Sequence, residues 1–178
     1  DQFLVERRLR MAQVVRRAWE RLRGDAVIEA VSPPSVAELI AGGETGAVEF
    51  KSTLRINLHT GQPDEKMHLS ALKTIAGFLN AKGGTLLVGV ADDGDVLGIS
   101  ADGFPNEDKM GLHLVNLIKD RIGEVFLPYV HPHFDDQQGE RVLIVRCEPG
   151  PKAAFLKEDK QKEKDRKYID ISNLGCYY

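Results

Sequence analysis

Residues 66–90 narrow the possible folds more than any other part of this sequence. Apolar residues recur every three or four positions between Lys66 and Ala81, which is the spacing of one helix face. Lys82-Gly83-Gly84 then ends the helix. The run Thr85–Val90 has the length and composition of a buried strand and is too short to span a bilayer. A helix followed directly by a buried strand predicts a domain that contains both element types.

The same reasoning predicts further elements on both sides of this unit. Ser35 is placed to cap a short helix over 36–42, and the helical spacing returns over Glu107–Ile122. A polar loop is predicted over 57–66, and an Asp92–Asp95 turn is predicted to join two strands of a hairpin. The predicted strands are 47–54, 85–90, 95–99, 141–147 and 168–172, with an edge strand at His131-Pro132-His133.

The break Ser32-Pro33-Pro34-Ser35 divides the chain into two predicted parts. Residues 1–31 form a basic amphipathic helix and linker, and residues 32–178 form one domain. Seven arginines lie between Arg7 and Arg23. Three interpretations of this helix stay open: a solvated helix that packs on the domain, a linker or dimerising helix, and a helix that binds nucleic acid.

Composition limits the classes of protein. The net charge of −3 gives no overall affinity for nucleic acid, so any such affinity requires a local basic face. We find no signal peptide or membrane span, and the two cysteines do not form a disulfide framework. These features predict a cytoplasmic protein without a membrane partner. The first residue is Asp1 rather than Met, which predicts that the chain is part of a longer protein.

The stretch GGETGAVEFK, residues 42–51, carries two carboxylates beside a glycine turn, Glu44 and Glu49. Three interpretations are open: a solvated strand entry, a carboxylate pair for a metal ion, and a charged surface that meets nucleic acid. Lys51 lies on the same strand face as Glu49, so it could pair with that carboxylate or hold a phosphate.

Several segments in this order resemble the AlbA-type nucleic-acid-binding domain of the Schlafen family, which is widespread in bacteria. They are the strand entry that ends in Glu49-Phe50-Lys51, the helix end AGFLNAKGG, and the segment TLLVGVADDGDVLGI. The resemblance covers about residues 35–155. It implies an α+β fold, a mixed β-sheet with packed helices, and binding of DNA or RNA, with a regulatory or defence-related role.

The resemblance also implies a possible enzymatic activity, because some animal relatives cleave structured RNA in a metal-dependent reaction that uses three carboxylates. Glu44 and Glu49 match two of them. The third is assigned to Asp92, with Asp93 next, because Ala91 stands where relatives often have an acid. Three carboxylates would suit Mg²⁺ or Mn²⁺. A metal-dependent endoribonuclease is therefore one alternative function, and a protein-interaction or homodimerisation module that uses the N-terminal helix is another.

Five cations are expected on the surface that contacts the nucleic-acid backbone. They are Lys51, Arg55, Lys66, Lys73 and Lys82. The alternative for each is a residue that only keeps the surface soluble.

The remaining polar residues receive structural roles or none. Asn80 is expected to support the helix end. The segment His131–Asp135 offers donors for Zn²⁺, but its proline and the lack of a second cluster favour an edge strand. His68 and His113 lie in helices without an evident partner.

Overall fold

A computed structural model describes residues 34–157 and the backbone of a last strand, Tyr168–Asp170. The predicted N-terminal helix lies outside the described residues. The helices are α1 (Val36–Gly42), α2 (Glu65–Asn80) and α3 (Glu107–Arg121), with 3₁₀ turns at Ser100–Asp102 and Glu124–Tyr129. The strands are β1 (Val48–Lys51), β2 (Ile56–Asn57), β3 (Gln62–Pro63), β4 (Gly84–Val88), β5 (Val130–Gln137), β6 (Glu140–Cys147), β7 (Phe155–Lys157) and β8 (Tyr168–Asp170).

Four strands form the central sheet, in the order β1-β4-β6-β5. The strands β1 and β4 are parallel and are joined through α2, whereas β4, β6 and β5 are antiparallel neighbours. The pairs β2–β3 and β7–β8 form two small separate sheets. A mixed sheet with packed helices confirms the α+β fold.

The sheet buries an apolar core on each face. Leu86 and Leu87 are consecutive in β4 and are both fully buried, because neighbouring side chains of a strand point to opposite faces. Leu86 belongs to the larger core, which includes the apolar faces of α2 and α3. Leu87 belongs to the smaller core with Val36 of α1 and Phe50 of β1. The central strand β4 is therefore covered on both sides.

The cap predicted for the first helix is present. The Ser35 hydroxyl accepts a hydrogen bond from the Glu38 N–H, and the Glu38 carboxylate accepts one from the Ser35 N–H at 2.8 Å. Gly43 has a φ of +72°, which ends the helix without a steric penalty. The chain is thereby directed from α1 into β1.

The histidine-containing segment is an edge strand, as predicted. Among the described residues β5 pairs with β6 alone, and both strands meet at a two-residue turn, Gln138-Gly139. Both turn residues have positive φ, the conformation of a tight hairpin. Pro132 has no N–H to donate to a neighbouring strand. Proline is therefore tolerated in an edge strand such as β5 and not in a central strand.

Two local predictions were wrong. The predicted polar loop over 57–66 contains the short hairpin β2–β3 and the start of α2. The predicted return strand 95–99 is reduced to a single bridge between Val90 and Val96, because the N–H groups of Leu97 and Gly98 both donate to the Gly89 carbonyl. Within the residues that the structure describes, no helix has the length and apolarity to cross a membrane.

Candidate nucleic-acid interface

Side chains of the segment GETGAVEFK form hydrogen bonds with the backbone groups on the outer edge of β1. The carbonyls of Ala47 and Lys51 accept hydrogen bonds from the β4 side, so the polar backbone groups of Phe50 face away from β4. The Phe50 N–H donates to Oε1 of Glu44 at 2.8 Å, and the Phe50 carbonyl accepts from Nζ of Lys51 at 2.8 Å. Both side chains thus occupy positions that a further strand would need.

Glu49 and Lys51 form the pair that their spacing allows. The Lys51 Nζ lies 2.7 Å from Oε1 of Glu49, and the two side chains are 22% and 35% exposed respectively. The register places Glu49 opposite Leu86 and Lys51 opposite Val88, on the sheet face that α2 and α3 cover. Lys51 therefore has two partners within the protein, and contact with a phosphate would compete with them.

The third predicted carboxylate lies on an exposed turn after β4. Asp92 and Asp93 are both exposed, and Asp93 accepts a hydrogen bond from the Asp95 N–H at 3.1 Å. Val90 and Val96, at the base of the turn, pack in the smaller core, on the face opposite to the one that Glu49 shares with Leu86. The turn does not bring Asp92 into a shared cluster with the two glutamates.

A divalent ion would need oxygen donors gathered around one point. Among residues 34–157, no three His, Cys, Asp or Glu side chains form a group that could hold a metal ion. Glu44 already accepts a hydrogen bond and Glu49 already pairs with Lys51. As placed, these side chains do not fit Mg²⁺ or Mn²⁺, and the three-carboxylate catalytic site stays a prediction.

Arg55 is fixed by groups distant in sequence. Its Nε donates to the Asp102 carbonyl at 2.6 Å, and its Nη2 donates to the Gly103 carbonyl at 3.0 Å. Its Cζ lies 4.0 Å from the centroid of the Phe104 ring, the geometry of a cation–π contact. The guanidinium is half-buried and held in one orientation, with its charge not neutralised by an ion pair among the described residues.

Three predicted lysines follow the length of α2. Lys66 lies in its first turn, Lys73 lies two turns further on, and Lys82 lies two residues beyond its last residue, Asn80. All three are exposed, and none forms an ion pair within the described part of the chain. Lys66 and Lys73 are seven residues apart, so they lie on one face of the helix, about 10 Å apart along its axis.

The N-terminal end of α2 is hydrogen-bonded to the backbone of Arg55. The backbone N–H of Asp64 donates to the Arg55 carbonyl at 2.8 Å. The Asp64 carboxylate in turn caps α2 by accepting from the Lys66 N–H at 2.9 Å. Arg55 and Lys66 therefore lie on either side of one capping residue. This proximity is one of the two backbones: the Arg55 side chain itself contacts Asp102, Gly103 and Phe104.

Asp102 is a functional candidate that the sequence reasoning missed. It is fully buried, and its carboxylate accepts hydrogen bonds from the backbone N–H groups of Leu54, Arg55 and Ile56 at 2.8–3.2 Å. These contacts fix the segment that follows β1 and orient Arg55. No local pattern marks Asp102, because its partners are 46–48 residues away in sequence.

The two helical histidines are partners, contrary to the sequence prediction. Nε2 of His68 in α2 lies 3.0 Å from Nε2 of His113 in α3. The His113 ring also contacts Phe104, with 5.2 Å between ring centroids. Burial is the main cause that lowers the pKa of each imidazole, and the nearby charge of Arg55 lowers both further. The pair is therefore neutral at neutral pH.

The remaining polar predictions have simple outcomes. Asn80 supports the helix end as expected: its side chain exchanges two hydrogen bonds with the backbone of Ala154, at 2.6 and 2.9 Å. His131 and His133 are exposed on β5, and His131 lies 3.1 Å from a carboxylate oxygen of Glu148. Within residues 34–157, the histidines of this strand belong to no group of three side chains that could hold a metal ion.

A cavity of about 240 Å³ lies beside Phe104. Its floor is apolar, with Met110 fully buried. Its rim carries Glu107, Glu140 and Arg141, and Arg141 is bound to Glu107 by two hydrogen bonds at 2.7 and 3.0 Å. The rim thus has one more negative than positive charge, which does not match a polyanion.

Comparison with known proteins identifies the family. Residues 44–173 match the family model described as Schlafen, AlbA_2. No curated protein matches the chain. Among solved structures, the N-terminal domain of an ATP-dependent DNA helicase RecG-related protein from Nitrosomonas europaea is 20% identical, with a TM-score of 0.50, over 77% of this chain and 90% of that domain.

A second solved structure, the DIP2311 protein from Corynebacterium diphtheriae, is 18% identical with a TM-score of 0.48. The match covers 70% of this chain but only 24% of that protein, so the chain spans about a quarter of its length. The match to the family model extends over most of the described domain. The chain therefore belongs to the Schlafen AlbA_2 family, which connects it with a nucleic-acid-related function.

Proposed function

We propose that this domain binds nucleic acid through the phosphate backbone, along α2. The observation that carries the proposal is a set of exposed lysines: Lys66 and Lys73 share one face of this helix, and Lys82 lies two residues beyond its end. None of the three forms an ion pair within the described residues. The Arg55 carbonyl accepts a hydrogen bond from Asp64, the residue that caps the N-terminus of this helix. Family membership supports nucleic acid as the polyanion.

The charges of the four cations set the expected properties of binding. Phosphate contacts position a nucleic acid without reading its sequence, and each releases counterions, so affinity falls steeply as salt rises. The net charge of −3 works against long-range attraction. We therefore expect modest affinity, strong salt dependence and weak sequence preference. DNA and RNA are both candidates, because backbone phosphates are common to them.

The test is fluorescence anisotropy with labelled single-stranded RNA, single-stranded DNA and duplex DNA at several salt concentrations. Lys66→Gln and Lys73→Gln should each weaken binding and lower the slope of log K against log salt by about 0.7–0.9. The matched control is Lys109→Gln, which removes the same charge from an exposed residue of α3. Absent binding at low salt, or equal effects of all three variants, would refute the assignment to α2.

The alternative of a protein-interaction module has a separate test. It requires that the N-terminal residues hold two chains together and that nucleic acid is not bound. Mass measurement by light scattering, on the full chain and on a chain without residues 1–31, distinguishes the two functions. An unchanged mass together with salt-sensitive binding would favour the nucleic-acid proposal.

A further inference from the structure

A series of contacts connects two histidines with the proposed nucleic-acid surface. Nε2 of His68 lies 3.0 Å from Nε2 of His113. The ring of His113 lies 5.2 Å from the ring of Phe104, measured between centroids. The Arg55 guanidinium lies 4.0 Å from the centroid of that same Phe104 ring. The histidine pair is thus one aromatic ring away from Arg55, whose backbone bonds the N-cap residue of α2.

The short distance between the imidazoles limits how many protons they can hold. In the neutral pair, one Nε2–H donates to the lone pair of the other Nε2. A first added proton binds at the far nitrogen of the donor ring and turns this contact into a stronger, charge-assisted hydrogen bond. A second proton would place two Nε2–H groups against each other at 3.0 Å. The pair therefore accepts one proton without separating.

Charged groups from all neighbouring elements act on this proton. Arg55, between β1 and β2, disfavours it at both imidazoles, and Arg121 of α3 disfavours it at His68. Asp102 favours it at both, although the Asp102 carboxylate is bound to three backbone N–H groups. Arg121 is paired at 2.6 Å with Glu65 of α2. The positive charge of Arg55 is the contribution that a bound phosphate would offset.

We propose that a phosphate of the nucleic acid bound at Arg55 is taken up together with one proton, which His68 and His113 share. This inference rests on the proposed function and adds a proton-linked subsite to the same surface. The phosphate offsets the charge of Arg55, so the imidazole pair accepts its proton more readily in the complex. By linkage, a lower pH then strengthens binding.

The expected effect has a definite limit. One proton gives a slope of log K against pH that does not exceed one in magnitude. If binding raises the pKa of the pair by one unit, affinity increases by up to about tenfold as the pH falls from about 7.5 to about 5. The increase begins below about pH 6.5, because burial lowers the pKa of both imidazoles from that ordinary value. His68→Gln and His113→Gln should each remove most of this increase, since glutamine forms hydrogen bonds but does not titrate.

The experiment measures affinity for a labelled single-stranded RNA by anisotropy across this pH range at constant salt. The matched control is His133→Gln, which removes an exposed imidazole from the edge strand β5 and should keep the wild-type pH dependence. Circular dichroism at each pH establishes that each variant is folded. Calorimetry of the wild-type chain in buffers of different ionisation enthalpy counts the protons taken up, and this measurement needs no variant.

The outcomes separate this inference from the proposed function. Salt-dependent binding that tightens at low pH, with net uptake of protons and loss of the effect in His113→Gln, supports the proton-linked subsite. Binding that is independent of pH, or an unchanged slope in both His68→Gln and His113→Gln, overturns it and leaves the nucleic-acid proposal intact. Absence of binding at every pH and at low salt overturns the proposed function itself.

Discussion

Two regions differ in where their charged and polar groups find hydrogen-bond partners. One is the acidic entry to β1, with Glu44 and Glu49, and the other is the Asp102 cluster, with Asp102, His68 and His113. In the entry, Glu44 bonds a backbone N–H six residues away, and Glu49 pairs with a lysine two residues away. In the cluster, Asp102 bonds Leu54 across 48 residues, and His113 meets His68 across 45 residues. The conspicuous acids of the motif organise one strand edge, whereas an inconspicuous aspartate organises contacts between distant segments.

Burial makes the second region the more sensitive of the two. Partly exposed ion pairs such as that between Lys51 and Glu49 contribute about 0–1 kcal/mol, because water screens them. A buried carboxylate that satisfies three N–H groups leaves all of them without a partner when it is removed. The two regions should therefore respond to substitution with very different losses of stability.

The largest effect is expected for Asp102→Ala, which should lower the free energy of unfolding by about 3 kcal/mol or more. Three buried or partly buried N–H groups, those of Leu54, Arg55 and Ile56, lose their acceptor. Urea unfolding measures the change. Asp92→Ala, an exposed acid on the turn after β4, is the control and should change stability by about 0.5 kcal/mol or less. Similar losses in both variants would remove the distinction between the two regions.

A smaller effect is expected from acidification. The pKa values of His68 and His113 are lowered in the folded state, so the unfolded chain binds more protons as the pH falls. The stability from this pair is complete above about pH 6.5, the unfolded value, and declines below it. Thermal unfolding between about pH 7.5 and about pH 5 measures the decline. This pH range lies above the one in which carboxylates ordinarily titrate.

In the double variant His68→Gln/His113→Gln this part of the profile should be flatter than in the wild type. His133→Gln, whose imidazole is exposed, should keep the wild-type shape. If the double variant loses stability on acidification as steeply as the wild type, the pair is not the group that titrates.

For Glu44→Gln we expect a loss of about 1 kcal/mol, because a neutral amide oxygen is a weaker acceptor for the Phe50 N–H. Chemical denaturation measures it. Amide hydrogen exchange provides a local readout, since the Phe50 N–H should exchange faster in the variant. Unchanged exchange at Phe50 would mean that the carboxylate does not protect the edge of β1.

The smallest stability change is expected for Glu49→Gln, below about 1 kcal/mol, because its pair with Lys51 is partly exposed. This variant also tests the predicted metal-dependent endoribonuclease. Wild type and variant are incubated with labelled tRNA in Mn²⁺ or in EDTA, and the products are separated on a gel. Cleavage that requires Mn²⁺ and disappears in the variant would establish a catalytic role for this glutamate. Intact RNA with both proteins would leave Glu49 with its structural pair alone.

Sequence reasoning identified the elements whose pattern is local. The helices α1, α2 and α3, the strands β4 and β6 and the edge strand β5 follow from apolar spacing, capping residues and proline. It gave the Lys51–Glu49 pair as one of two interpretations of Lys51, beside a phosphate contact, since residues two apart in a strand share a face. It was wrong for the strand 95–99, where glycine geometry and two hydrogen bonds to one carbonyl replace a ladder.

The sequence by itself determined the three helices, the strands β4 and β6, the family and the places of Lys66 and Lys73 on α2, because these depend on the spacing of residues within one element. Only the tertiary structure decided that Asp102 supports Arg55 and that His68 meets His113. These contacts join α2, α3 and the segment after β1 across 45–48 residues. The spacing of residues within one element does not predict such long-range contacts, since they arise when separate elements pack against the sheet.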